Sequence, residues 1–97
     1  MDLESFKASI ATDAPPTASN ALQALWYDAK GQWDTAHKLA QQEPDPIGAW
    51  VHAYLHRVEG DESNAGYWYN RAQKPHSKES LPEEWDEIAS SLLAAAN

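Results

Sequence analysis

The sequence predicts an all-α protein of about six antiparallel helices in one domain. Apolar residues recur at helical spacing along nearly the whole chain, whereas the alternating pattern of a half-buried strand is never sustained. The 97 residues suit a single compact core, and a content of 42% hydrophobic and 23% charged residues is typical of globular proteins. The chain therefore has the composition to fold around one helical core.

Proline and glycine divide the chain into helical segments. Pro15 and Pro16 cannot lie inside a helix, because each lacks an amide donor and clashes with the preceding turn. Gly31 and Gly60 are natural helix ends, since glycine adopts the left-handed conformation without steric cost. The predicted segments are an N-terminal helix, a Pro-rich linker, two helical hairpins and a C-terminal capping helix, at 1–12, 13–19, 20–43, 45–75 and 80–96.

Capping residues mark the starts of four predicted helices. Asp2, Asp45 and Asp61 each precede a helical pattern, and an aspartate there can accept hydrogen bonds from the free amides of the first turn. Ser80 and Glu83 have the spacing of a capping box. We expect the first helix to cover one end of the array and the last helix to cover the other.

Charge and composition exclude several classes of function. Fifteen acidic residues against seven basic ones give a net charge of -8, which disfavours nucleic acid and anionic membranes as partners. The absence of cysteine excludes thiolate metal sites. No secretory signal, phosphate-binding loop or nucleophile elbow is visible, so we expect a cytoplasmic protein that is not an enzyme and has no cofactor.

An internal repeat links the two predicted hairpins. It aligns Ala24 with Ala53, Gly31 with Gly60 and Ala36 with Ala65. The second copy continues with an aromatic residue, an alanine and a proline, at Tyr69, Ala72 and Pro75. This pattern resembles the tetratricopeptide repeat, in which small residues allow paired helices to approach closely. The stretch from Trp50 to Arg57, with Gly60 and 64–72, is also similar to short bacterial helical proteins with no assigned role.

The resemblance implies an array of helical hairpins with a concave groove that binds a protein or peptide. The residues predicted to line that groove are aromatic, amide and guanidinium side chains on the two helices of the second hairpin: Trp50, Tyr54, Arg57, Asn64, Tyr67 and Arg71. Such groups suit an extended or acidic peptide, including one from another copy of the chain. The leading hypothesis is therefore a non-catalytic interaction module.

The same side chains also suit a structural interpretation. Aromatic residues at helical spacing often belong to the core, and Arg57 has Glu59 and Asp61 nearby in sequence as ion-pair partners. The repeat can be aligned on Gly60, which turns Trp50 toward the groove, or on Trp50, which buries that residue. The sequence leaves both alignments open.

A second hypothesis is a small-molecule or divalent-metal site. His52 and His56 are four residues apart and so share one helix face, and Glu59 follows three residues later. Two imidazoles and a carboxylate are suitable ligands for one metal ion. A solvated polar face gives the same pattern, and His37 and His76 have no such neighbours in the sequence.

Overall fold

The computed structural model describes residues 1–96, which form six α-helices and no strand, so the predicted all-α class is confirmed. None of these helices is both long and apolar enough to cross a membrane. In chain order the helices are α1 (Leu3–Ser9), α2 (Asn20–Ala29), α3 (Trp33–Gln42), α4 (Ile47–Val58), α5 (Glu62–Ala72) and α6 (Leu81–Ala96).

Local sequence signals fix most of the helix ends. The side chains of Asp2 and Asp61 each accept a hydrogen bond from the amide three residues later. Ser80 and Glu83 form the predicted capping box, with the Ser80 amide 3.3 Å from Glu83 Oε1 and the Glu83 amide 3.3 Å from Ser80 Oγ. The turns between paired helices contain Gly31 and Gly60 at φ of 78° and 86°, a conformation that glycine adopts without strain.

The predicted cap at Asp45 is wrong. The side chain of Asp45 lies 2.6 Å from the Arg71 guanidinium of α5, and no side chain caps the start of α4. Gly48 tightens this turn instead, because a Cβ atom at that position would overlap the backbone carbonyl oxygen of Glu43. The α3–α4 connection thus depends on a close backbone approach rather than on a cap.

Helix α4 lies at the centre of the molecule. It packs against α2, α3, α5 and α6, and every residue from Gly48 to His56 is buried. Four alanines at the repeat positions are fully buried, which is expected where helices approach closely: Ala24, Ala36, Ala53 and Ala65. Because four helices pack around α4, its residues His52 and His56 lie inside the protein.

Helices α1 and α6 pack against each other rather than covering opposite ends of the array, so that expectation is wrong. The Phe6 ring stacks on Trp85 with 5.7 Å between ring centroids. Lys7 and Asp86 form an ion pair at 2.9 Å. The indole Nε1 of Trp85 also donates a hydrogen bond to the carbonyl oxygen of Leu25 in α2, at 3.0 Å. Helix α6 therefore lies over α2 and α4, and α1 packs against α6.

Candidate metal centre

Three histidines from two helices meet on one side of α4. His52 and His56 project from successive turns of α4, and His37 projects from α3, which packs beside it. One nitrogen of each imidazole belongs to a set whose members all lie within 4.8 Å of one another. We call this set, His37, His52 and His56, the histidine cluster.

Hydrogen bonds orient the rings of the histidine cluster. His37 Nε2 and His52 Nε2 are 2.8 Å apart, so one of these nitrogens donates a proton and the other accepts it. His56 Nδ1 lies 2.6 Å from Glu59 Oε1. A carboxylate oxygen accepts, so the Nδ1–H of His56 donates to Glu59 and Nε2 is the ring nitrogen outside this hydrogen bond. The Nε2 atoms of His37 and His52 therefore face each other, and Nε2 of His56 is not bonded to Glu59.

Two tryptophans flank the histidine cluster. Trp33 stacks on His37 with 4.7 Å between ring centroids, and its indole Nε1 donates a hydrogen bond to the Leu55 carbonyl oxygen at 2.8 Å. On the other side, Trp68 of α5 stacks on His52 at 3.8 Å. The indole rings restrict rotation of the imidazoles and shield them from water. This packing leaves His52 and His56 only 5% and 6% exposed.

The environment keeps two members of the cluster neutral at neutral pH. Burial, followed by the neighbouring His37 and His56, lowers the pKa of His52 to about 4. Burial, followed by His56, also lowers the pKa of His37 below its usual value of 6.5. A neutral imidazole has a free lone pair, which is the form that binds a metal ion.

The structure changes the metal set that the sequence predicts. His52 and His56 do lie together, but they are not on a solvated face, because α3 and α5 cover that side of α4. Glu59 contacts Nδ1 of His56 and does not reach the centre of the cluster. His37 supplies the third imidazole there instead. His37 lies seven residues before Pro44, and His52 lies seven residues after Asp45. In two antiparallel helices, residues at equal distances from the connecting turn lie side by side.

The residues predicted to line a peptide groove do not share one open surface. Trp50 and Tyr54 are 7% and 4% exposed, so both belong to the core and not to an open groove. For Trp50, burial is what the repeat alignment on Trp50 predicts. Arg57 pairs with Glu84 of α6 rather than with Glu59 or Asp61. The reason is that α6 covers this face of α4, which sequence periodicity alone does not reveal.

Three of the predicted groove residues are exposed on the outer face of α5: Asn64, Tyr67 and Arg71. The Tyr67 side chain is 56% exposed. The Arg71 guanidinium carbon lies 4.6 Å from the centroid of the Trp68 ring and 5.9 Å from that of Tyr67. An interaction role for these side chains stays a prediction.

Comparison with known proteins gave no match, either to a protein-family model, to a characterised protein or to a solved structure. The resemblance to the tetratricopeptide repeat therefore stays a prediction, and the function is argued from the geometry alone.

Proposed function

We propose that this protein binds one divalent transition-metal ion through His37, His52 and His56. The observation that supports the proposal is the convergence of three imidazole nitrogens within 4.8 Å of one another. His52 and His56 are buried, and hydrogen bonds to His37 and Glu59 hold their rings in place. A metal ion would bind the three rings at one point, with little reorganisation of their positions.

The spacing of the nitrogens suits zinc and neighbouring metals. Zinc binds imidazole nitrogen at about 2.0–2.1 Å, so tetrahedral ligand atoms are separated by about 3.3 Å. The separations here extend from 2.8 Å to at most 4.8 Å. Small rotations of the rings would produce that geometry, once the proton that His37 and His52 share between their Nε2 atoms has moved to the Nδ1 atom of its ring. Imidazole ligands suit Zn²⁺, Ni²⁺, Cu²⁺ and Co²⁺ better than Mg²⁺ or Ca²⁺, which prefer oxygen ligands.

Glu59 and the two tryptophans supply a second layer of support. Metal-binding histidines commonly donate their other ring N–H to a carboxylate, which fixes the tautomer and increases ligand basicity. The pair His56–Glu59 has this arrangement. Trp33 and Trp68 hold the other two rings by stacking. In a second set, His56 with Glu59 and Asp61, the Glu59 side chain is exposed and the Asp61 carboxylate already accepts a hydrogen bond from the Asn64 amide.

The site would join the two hairpins of the fold. His37 belongs to the α2–α3 hairpin, whereas His52 and His56 belong to the α4–α5 hairpin. A metal ion bound to all three residues connects the hairpins only in the folded protein. Metal binding should therefore stabilise the native state against unfolding.

Thermal unfolding of protein without a polyhistidine tag tests the proposal. Metal at a concentration 100 times the dissociation constant stabilises the native state by about 2.7 kcal/mol. For a chain of this length that corresponds to a rise in Tm of roughly 10 °C or more. We expect Zn²⁺ or Ni²⁺ to raise Tm by this amount in the wild-type protein and in H76N, in which the histidine outside the cluster is replaced.

The variant H37N distinguishes the histidine cluster from other metal sites. It removes the ligand from α3 but leaves the two histidines of α4, so the rise in Tm should be largely lost. The proposal is wrong if saturating metal fails to raise the Tm of the wild-type protein. It is also wrong if H37N and H76N respond equally, because the metal would then bind without the third histidine.

A further inference from the structure

A cavity of about 280 Å³ adjoins the histidine cluster. Its wall contains one member of the cluster and several charged, amide and aromatic side chains from the helices around it, among them His52, Trp68, Arg71, Asp45 and Gln41. Sites for drug-sized ligands usually have volumes of about 300–1,000 Å³. This cavity therefore suits a molecule of only a few non-hydrogen atoms.

The cavity lies about one helical turn from the histidine cluster, toward the connection between α3 and α4. On α3, Gln41 follows His37 by four residues, and on α4, Gly48 precedes His52 by four residues. Residues with this spacing share a helix face and are about 6 Å apart along the helix axis. A small molecule in the cavity therefore lies beside the position where the three imidazoles converge.

The histidine cluster would leave one position of a bound metal ion open. In the part of the chain that the structure describes, the cluster contains three ligand residues and no fourth histidine, aspartate or glutamate. Zinc in proteins is usually four-coordinate, and a site with three protein ligands keeps its fourth position for water or another small ligand. The fourth ligand would thus come from outside the chain.

Charge favours an anion in that fourth position. Imidazole binds a metal ion as a neutral ligand, and among residues 1–96 one carboxylate, that of Glu59, hydrogen-bonds to the cluster. A divalent ion would therefore carry more positive charge than these side chains balance. Because His52 and His56 are buried, water does little to compensate for an unbalanced charge beside them. A small anion bound to the ion would supply the missing negative charge.

Arg71 brings a second positive charge and unused N–H donors to the cavity wall. Its Nε and Nη2 atoms lie 3.1 Å and 2.6 Å from Asp45 Oδ2, whereas Nη1 makes only a 3.5 Å contact with the Tyr67 hydroxyl. The guanidinium carbon lies 4.6 Å from the centroid of the Trp68 ring, and the His52 ring stacks on the same indole at 3.8 Å. Guanidinium groups bind carboxylates with favourable geometry, so Arg71 favours a carboxylate as the anion.

We propose that the cavity binds a small carboxylate, which occupies the fourth position of the metal ion and accepts a hydrogen bond from Arg71. The inference rests on the proposed metal site, since the ion held by the histidine cluster is one of the two groups that bind the carboxylate. Asp45 competes for the same guanidinium, and its negative charge repels an anion in the cavity. Arg71 therefore strengthens carboxylate binding, whereas Asp45 weakens it.

Visible absorption of the full-length protein loaded with Co²⁺ tests the proposal, because the spectrum of a cobalt ion depends on its fourth ligand. Acetate is the probe, and acetamide, which has a similar shape but no charge, is its control. We expect acetate to change the spectrum with a saturable dependence on concentration, and acetamide to leave it unchanged. If Co²⁺ gives no visible absorption in the wild-type protein, the metal site is refuted together with the carboxylate site. If Co²⁺ binds but acetate does not change its spectrum, or acetamide changes it equally, only the carboxylate site is refuted.

The variants R71M and D45N separate the charge of the cavity from the stability of the ion pair. Both variants break the same pair, so a purely structural role would change acetate affinity in the same direction. We expect R71M to weaken acetate binding at least about 10-fold, because a hydrogen bond to a charged group is lost. D45N should strengthen binding about threefold, because it removes a competing charge that is partly exposed.

The matched control is K74M, which removes a positive charge that lies over Trp50 and outside the cavity wall. It should leave acetate affinity unchanged within about twofold. Equal effects of R71M and K74M would overturn the proposal, and so would changes of the same sign in R71M and D45N. If R71M does not bind Co²⁺, D45N decides the matter, and an acetate affinity that fails to rise in this variant overturns the carboxylate site.

Discussion

Replacing Tyr69 by phenylalanine should destabilise the protein through the loss of one hydroxyl. The Tyr69 hydroxyl lies 2.5 Å and 2.7 Å from the two oxygens of Glu84, and both side chains are almost completely buried. Hydrogen bonds to charged groups contribute about 1.5–3 kcal/mol, and no water can replace the missing donor at this site. We therefore expect the free energy of unfolding to fall by about 2 kcal/mol, which corresponds to roughly 8–16 °C in Tm.

Urea unfolding followed by circular dichroism measures this change. The matched control is Tyr67→Phe, because the Tyr67 side chain is exposed and its hydroxyl makes only a 3.5 Å contact with Arg71. The control should change the free energy of unfolding by less than about 0.5 kcal/mol, as is usual for surface substitutions. Equal effects of the two substitutions would refute the argument. The buried hydrogen bonds from Tyr69 to Glu84 would then contribute no more to the free energy of unfolding than an exposed tyrosine hydroxyl does.

Two further predictions concern other parts of the fold. Gly48→Ala should lower the free energy of unfolding by more than about 2 kcal/mol, because the new Cβ overlaps a backbone carbonyl oxygen, whereas Gly66→Ala in α5 has only ordinary contacts and should raise it by up to about 1 kcal/mol. Urea unfolding measures both, and equal effects would contradict the close approach at Gly48. In metal-free protein, burial and the neighbouring histidines hold the pKa of His52 at about 4, whereas the unfolded chain takes up this proton near 6.5. The free energy of unfolding should therefore fall by about 3 kcal/mol as the pH is lowered from about 7 to about 4. H52Q should lack this contribution, and identical pH profiles for H52Q and wild type would contradict it.

The helices could be predicted from the sequence because their signals are local. Apolar spacing depends on residues within two turns of each other, and the caps at Asp2, Asp61 and Ser80 use amides three residues away. The packing of α1 against α6 was not predictable in this way. The contact between Phe6 and Trp85 joins residues from opposite ends of the chain, and no periodicity encodes it.

The candidate site was predictable only in part for the same reason. The four-residue spacing of His52 and His56 already places both on one helix face. Their burial and the participation of His37 depend on which faces of α3 and α5 turn toward α4, a tertiary property. Helical periodicity predicts that this side of α4 is polar, but it does not show that another helix covers it.

X-ray absorption at the zinc edge of protein loaded with one equivalent of Zn²⁺ tests the central claim most directly. We expect the wild-type spectrum to show scattering from three imidazole rings bound at about 2.0 Å, and the H37N spectrum to show two. A wild-type spectrum with only oxygen ligands would contradict the account. So would a spectrum that does not change when His37 is replaced.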